Sequence, residues 1–385
     1  MTAEEQARLL KQWALEAGFD RAGVTSLAPA EHGKQYLDWL QRGDQATMAY
    51  LERRAEVRLD PRQVLEGARS ALCVALHYYP LSGESEVSGN LWPGVARYAR
   101  GADYHQLMER RLEQLVIRIE RAFPSTGTRI YVDTGPVLER ELAARAGLGA
   151  IGKNTNLLDP QGGSWVLLGE IFLTLELVDD VPVADLCGSC TSCLEACPTG
   201  ALPQPYRLDS RKCISYWTIE HRGVIPAEVR PLLTGWVFGC DICQEVCPVN
   251  EGPLAVDHEE LTIPPGRVGL ELEDLLSMDR DEYVGRFRGS PMKRAKLEGL
   301  QRNAAVAMGN SGERRYVSTL IRALRNGSSL LRRHAAWALG QIGGGEAVAA
   351  LRKSFRSQVE PAVREEIRTA IQGLGLTLPE DLPIL

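Results

Sequence analysis

The chain has 385 residues, 44% of them hydrophobic, and a formal net charge of −6. That length suits two or three domains. No apolar run reaches the length of a membrane-spanning helix, and the opening Met1-Thr-Ala-Glu-Glu-Gln lacks the basic and apolar stretches of a secretory signal; this excludes a helical membrane protein, and a soluble, cytoplasmic protein without a membrane partner is expected.

Residues 1–180 read as α+β. From Glu4 to Gly18, Leu9, Leu10, Trp13, Ala14 and Ala17 fall on one helical face, and Gly-Phe-Asp follows as a stop. Ala71 to Tyr78, Arg129 to Val132 and Trp165 to Leu177 are short apolar runs rich in β-branched or aromatic residues, the pattern of strands. Tyr104 to Phe123 is helical between them. A mixed sheet covered by helices is the expected architecture.

Residues 181–265 hold eight of the nine cysteines. The runs are Cys187-Gly-Ser-Cys190-Thr-Ser-Cys193-Leu-Glu-Ala-Cys197-Pro198 and Cys240-Asp-Ile-Cys243-Gln-Glu-Val-Cys247-Pro248, with Cys213 between them. This is the ligand pattern of a bacterial two-cluster ferredoxin, in which closely spaced thiolates wrap one cluster and the last cysteine of the run reaches the other. Cys187, Cys190, Cys193 and Cys247 are assigned to one 4Fe–4S cluster, and Cys197, Cys213, Cys240 and Cys243 to the second. Zinc sites and disulfides also use such spacings, but two Cys-Pro-terminated runs sharing a lone cysteine fit neither a tetrahedral four-ligand set nor a secreted scaffold. Proline-rich joints at Val181-Pro182 and Ile263-Pro264-Pro265 suit the boundaries of this ferredoxin-like domain. Cys73, in an apolar run, reads as core.

Residues 266–385 comprise a linker and repeats. Ala304 to Gly312, Ala335 to Gly343 and Ile367 to Gly375 align, each as a helix of small apolar residues closed by glycine, and second helices follow at Tyr316 to Leu324 and Ala347 to Phe355. The segment is a short HEAT-like α-solenoid. Between Ser290 and Gly375 there are fifteen Lys and Arg against six Asp and Glu. Arg302, Arg332, Arg333 and Arg364 recur at the starts of the first helices, where stacking is expected to align them as a track for phosphates; a protein-binding solenoid is the alternative.

Several motifs in the first segment carry less information. Gly147-Leu-Gly-Ala-Ile-Gly152 matches a dinucleotide fingerprint as a string, but a helix rather than a strand precedes it, and Asn154 stands where a P-loop needs a hydroxyl. What survives is a glycine-rich loop followed by Lys153, Asn154, Thr155 and Asn156, able to hold amide or phosphate groups of a large cofactor. Asp103-Tyr-His105-Gln-Leu-Met108 lacks the glycine that closes the Asp-x-His-x-x-Gly signature of histidine-ligated cobalamin, so axial ligation by His105 is not supported. Asp133 follows a strand, where a carboxyl can face a cleft as a general acid; an Asx turn or helix cap before Pro136 is the structural alternative.

Taken in order, Arg97-Tyr-Ala-Arg-Gly-Ala-Asp-Tyr-His105, Tyr131-Val-Asp-Thr-Gly-Pro-Val-Leu-Glu-Arg140, Gly147 to Asn156, Cys213-Ile-Ser-Tyr-Trp-Thr-Ile-Glu220, Gly239 to Pro248 and the terminal repeats resemble the epoxyqueuosine reductase family along nearly the whole chain. The resemblance implies a cobalamin-binding catalytic domain in residues 1–180, and reduction of an epoxide on the wobble base of tRNA to an alkene. Electrons then pass through two 4Fe–4S clusters to cobalamin, with Asp133 as proton donor. It implies corrinoid contacts from Arg97, Tyr98, Asp133, Lys153, Asn154, Thr155, Asn156, Ser215 and Asp241. Lys293, Arg294, Lys296, Arg302, Arg332 and Arg333 are the candidates for tRNA contact. A monomer served by an unidentified electron donor is expected. A reductive dehalogenase and a non-catalytic electron-transfer scaffold are the rival readings; the first does not need a basic solenoid, and the second leaves Asp133 without a role.

Overall fold

Helix α1 (Ala3–Glu16) starts where the Thr2 hydroxyl accepts the Glu5 N–H and the Glu5 carboxylate accepts the Thr2 N–H. This reciprocal cap satisfies two amides that the helix cannot. Ala7, Leu10, Trp13 and Ala14 form its buried stripe. The structure is a computed structural model that describes residues 1–80, 94–256, 258–261 and 270–378. No helix among them is long and apolar enough to cross a membrane. The expected boundary at Ile263-Pro264-Pro265 lies outside the described residues.

After α1 come strand β1 (Arg21–Ser26), strand β2 (Ser70–His77), helix α2 (Tyr104–Ala122), strand β3 (Thr128–Tyr131), helix α3 (Glu139–Arg145), the short hairpin of β4 (Ala150–Ile151) and β5 (Leu157–Leu158), and strand β6 (Val166–Leu173). The main sheet has the order β1-β2-β6-β3, and each neighbouring pair is antiparallel. The expected mixed sheet is therefore corrected to an antiparallel one. The reason is that all eight residues of β2 are buried, and a strand covered on both faces reads as a continuous apolar run whatever its direction.

One sheet face, carrying Ala71, Cys73, Ala75, Leu168 and Phe172, packs against Leu142, Ala143 and Ala146 in and just beyond α3. Burying each large side chain here is worth roughly 1.5–3 kcal/mol. Gly23 in β1 permits this approach, because a Cβ there would meet the Ala146 carbonyl at 2.0 Å.

The residues group into two compact units: the described parts of Met1–Glu84, Gly101–Cys213 and Asp241–Thr262, and those of Ser85–Arg100, Ile214–Cys240 and Ile263–Leu385. Residues 214–240, which fall within the cysteine-bearing segment in sequence, thus belong with the repeats. The second unit contains helices α4 (Lys296–Ser311), α5 (Val317–Asn326), α6 (Ser329–Ile342), α7 (Gly345–Ser357) and α8 (Pro361–Gly373). Gly312, Gly343 and Gly375 lie just beyond the ends of α4, α6 and α8 at φ of 67°, 67° and 70°, a left-handed backbone in which glycine has no Cβ penalty. The small residues of the repeats have a packing reason too. A Cβ at Gly309 would lie 2.6 Å from Trp337, and one at Gly340 would lie 2.9 Å from Ala370.

Candidate active site and cluster pocket

Strand β3 ends at Tyr131, and two residues later Asp133 takes φ 57°, a conformation uncommon outside glycine, asparagine and aspartate. Its side chain is 62% exposed. Two neighbours fix it: His105 Nε2 lies 3.2 Å from its Oδ2, and its backbone N–H donates to Glu139 Oε2 at 2.9 Å. His105 Nδ1 lies 2.7 Å from Asp103 Oδ1. Burial alone would lower the His105 pKa, but the hydrogen bonds to Asp103 and Asp133 win and raise it to about 9. At neutral pH both ring nitrogens are donors engaged with carboxylates, which leaves neither to ligate a metal.

Two further carboxyls stand behind Asp133. Glu139, the first residue of α3, is pushed up to about 7 by burial and by the charge of Asp133. Glu170, in the middle of β6, is raised well above the usual range by burial, then by Glu139 and Asp133. The sequence reading omitted both, although a lone charge inside the buried run Val166–Leu173 was a signal available in it.

In the same unit, Cys187, Cys190, Cys193 and Cys247 line one cavity of about 70 Å³ together with Lys153, Asn154 and Leu158. These are the four cysteines assigned to one cluster by spacing. The β4–β5 hairpin tip braces the surrounding loops: Lys153 Nζ donates to the Gly188 and Cys190 carbonyls at 2.7 and 2.8 Å, and the Lys153 N–H approaches Cys187 Sγ at 3.4 Å. Asn154 Nδ2 donates to the Cys243 carbonyl at 3.2 Å. Arg140 holds the tip to α3 by donating to the Thr155 carbonyl, and Thr155 has φ 68°. Burial and the nearby Cys213, Cys193 and Cys197 push the Cys243 thiol up to about 12. Such a crowd of thiols ionises together only when metal supplies the opposing charge.

Of the expected corrinoid residues, Asp133, Lys153, Asn154, Thr155, Asn156 and Asp241 lie in the first unit, and Arg97, Tyr98 and Ser215 in the second. Asp241 and Asn154 are buried. Arg97 and Tyr98 lie on a short 3₁₀ turn, Arg97–Ala99, with the Tyr98 ring 6.3 Å from that of Phe238. Ser215 precedes the helical turn Tyr216–Glu220.

The arginine track is corrected at Arg302. That side chain is 1% exposed, and its guanidinium donates to the carbonyls of Trp217, His221 and Gly223 and to Asn303 Oδ1. It cannot reach a phosphate, because its position faces the packed side of α4. Arg332 pairs with Glu360 at 2.6 Å and Arg333 with Glu366 at 3.4 Å. Arg294 is exposed and forms a two-pronged contact with Glu220, both distances 2.9 Å. Lys293 and Lys296 are exposed, as are Arg322 and Arg325 on α5 and Arg352, Lys353 and Arg356 on α7. The second helices therefore carry a basic surface that the first-helix repeat had not suggested.

Comparison with known proteins places these features in one family. Residues 58–134 match the family described as epoxyqueuosine reductase QueG, DUF1730, residues 186–250 the 4Fe-4S double cluster binding domain, and residues 294–372 HEAT repeats. An epoxyqueuosine reductase of Xanthomonas campestris is 40% identical, covering 88% of this chain and 97% of its own; that of Escherichia coli is 35% identical, covering 87% and 89%. An epoxyqueuosine reductase crystallised with an epoxyqueuosine-modified tRNA-Tyr stem loop superposes with a TM-score of 0.86 at 28% identity, covering 97% of this chain and all of that one. The Bacillus subtilis enzyme, solved with its catalytic aspartate loop swung out of the active site, gives 0.87 at 28% identity, with the same coverage. The chain binds iron–sulfur clusters, is an oxidoreductase, and belongs to the epoxyqueuosine reductase family.

Proposed function

We propose that this protein reduces epoxyqueuosine to queuosine at the wobble position of tRNA, with Asp133 as the proton donor. The observation that carries the reading is an exposed carboxyl on a strand end, held between the His105 imidazole and Glu139, in a chain of this family. Conversion of an epoxide to an alkene with loss of water consumes two electrons and two protons. Asp133 protonates the departing oxygen, a role that contributes roughly 10²–10⁴-fold in rate. His105, protonated below about pH 9, supplies Asp133 with each proton it passes on, across their 3.2 Å contact, because the pair rests as imidazolium and carboxylate.

The cofactors are assigned by the donors available. Cys187, Cys190, Cys193 and Cys247 hold one 4Fe–4S cluster, and their shared cavity fits that set. Cys197, Cys213 and Cys243, which influence one another electrostatically, hold the second with Cys240, whose spacing completes the run. Bound there, the clusters would supply electrons one at a time, and cobalamin would supply a strongly reducing low-valent cobalt. Residues Thr155 and Asn156, Asp241, Arg97 with Tyr98, and Ser215 are its proposed contacts. Lys153 and Asn154 act through the cluster loops to which they are bonded. Both His105 nitrogens are engaged by carboxylates, so this side chain would not be among the residues that hold the corrinoid.

For the tRNA, Lys293, Arg294 and Lys296 with Arg332 and Arg333 remain the proposed phosphate contacts, and the bases are met in the unstacked anticodon loop. The test is anaerobic reconstitution with both cofactors, incubation with reductant and epoxyqueuosine-bearing tRNA, and mass spectrometry of the digested nucleosides. Loss of one oxygen is expected, and Asp133→Asn should abolish it while cluster and corrinoid absorbance persist. A fully loaded, reducible protein that converts no tRNA would sink the assignment.

A further inference from the structure

Strand β6 is apolar except at one charged position. Glu170 is 1% exposed, pairs in register with Cys73 on β2 and Tyr131 on β3, and has a buried Oε1 without a hydrogen-bond partner. Alternation along the strand puts it on the face of Leu168 and Phe172, the one covered by α3. An ionised carboxylate there lacks the compensation that burial demands, so Glu170 keeps its proton to well above the usual range. On α3, Glu139 accepts the N–H of Asp133 at 2.9 Å. That bond fixes the Asp133 backbone at its left-handed φ of 57°, a region that aspartate enters more readily than most residues but in which nothing in its own side chain locks it.

We propose that Glu139 is a positioning residue: it clamps the Asp133 backbone in the left-handed conformation that presents the carboxyl, through a bond whose strength follows the charge of Glu139 itself. This rests on Asp133 being the proton donor. As a carboxylate, Glu139 makes a charge-assisted bond to the loop amide, stronger than the bond its neutral form can make. The groups that act on its charge are Asp133 in the loop, His105 on α2 and Arg140 on its own helix; Glu170 on β6 and the Cys73 thiol of β2 face it as protonated, neutral groups whose own pKa values burial and the Glu139 charge raise. Glu139 titrates at about 7, so the clamp strengthens as pH rises through neutrality.

The experiment measures conversion of epoxyqueuosine-bearing tRNA by the reconstituted holoenzyme across pH, for the native protein and for Glu139→Ala, Glu139→Gln and Asp133→Asn. Glu139→Ala should lose roughly tenfold in kcat with KM unchanged, the cost of one charge-assisted hydrogen bond. Glu139→Gln keeps a carbonyl acceptor and should recover most of that rate, while the inflection near pH 7 in the native profile disappears. Native kcat and an unchanged profile in Glu139→Ala, with Asp133→Asn inactive, overturn the clamp and leave the proton donor standing. An active Asp133→Asn overturns the proton donor itself. Should Glu139→Ala not fold, Glu139→Gln decides: an inflection still present overturns the proposal.

Discussion

Arg302 in the repeats and Glu170 in the sheet are both charged side chains, each 1% exposed, yet their surroundings treat them in opposite ways. The guanidinium of Arg302 is saturated by backbone carbonyls and Asn303. Burial brings its pKa down to about 10, which leaves it fully charged at neutral pH. Glu170 keeps one oxygen unpartnered and answers burial by holding a proton instead. A completed set of bonds ties segments of chain together, and here it joins α4 to residues 217–223. An incomplete set leaves a group whose charge can still change, which is what chemistry beside it can use.

The largest effect expected from this contrast is on stability. Arg302→Ala removes the donor from three backbone carbonyls, that of buried Trp217 and those of His221 and Gly223, and empties a buried site; it should cost about 3–5 kcal/mol, read as a fall in the denaturant midpoint. Arg302→Lys should recover little, because an ammonium cannot reproduce the fork. If Arg302→Ala weakened tRNA binding while leaving the midpoint untouched, the buried-tie account would be wrong.

A smaller loss is expected at the cluster pocket. Lys153→Met removes two bonds to the loop carbonyls of Gly188 and Cys190, worth roughly 1.5–3 kcal/mol together. The visible iron–sulfur absorbance should then bleach faster in air than in the native protein.

Glu170→Gln tests the other half of the contrast. Between the ordinary carboxyl range and the raised native value, the folded protein keeps a proton that the unfolded chain has released, so stability falls as pH rises, by up to about 1.4 kcal/mol per pH unit. The substitution should reduce that slope, so that melting temperatures measured from pH 5 to pH 8 vary less than in the native protein and only the part due to Glu139 and His105 remains. A slope unchanged by Glu170→Gln would place the titrating group elsewhere.

What the sequence made legible follows from the same physics. Cluster ligation dictates residue type and spacing, so Cys187, Cys190, Cys193 and Cys247 could be grouped from the sequence alone, and one cavity collects them. Apolar periodicity revealed α1, β2 and the repeats, because burial is their main stabilisation. It did not reveal β1, whose six residues are half polar and include Gly23, nor the direction of the strands. Asp133 was legible from its motif, but Glu139 and His105 became its partners only through a turn and a helix cap. Repeat position does not fix exposure: at Arg302 residues 217–223, outside the repeats, cover the side chain, whereas Arg332 and Arg333 at the equivalent position stay half-buried.

The smallest expected effect separates the exposed cations from the buried one. Lys293 and Lys296 are exposed, and phosphate contacts contribute affinity through counterion release rather than base identity. Lys293→Glu and Lys296→Glu should each weaken binding of modified and unmodified tRNA alike and reduce the slope of log affinity against log salt by about one, with no change in melting temperature. Arg332 and Arg333 already have carboxylate partners, so substituting them should change the slope less. A steeper dependence on Arg332 than on Lys293 would mean that tRNA displaces Glu360 from its pair, and the phosphate track would then follow the first helices of the repeats after all.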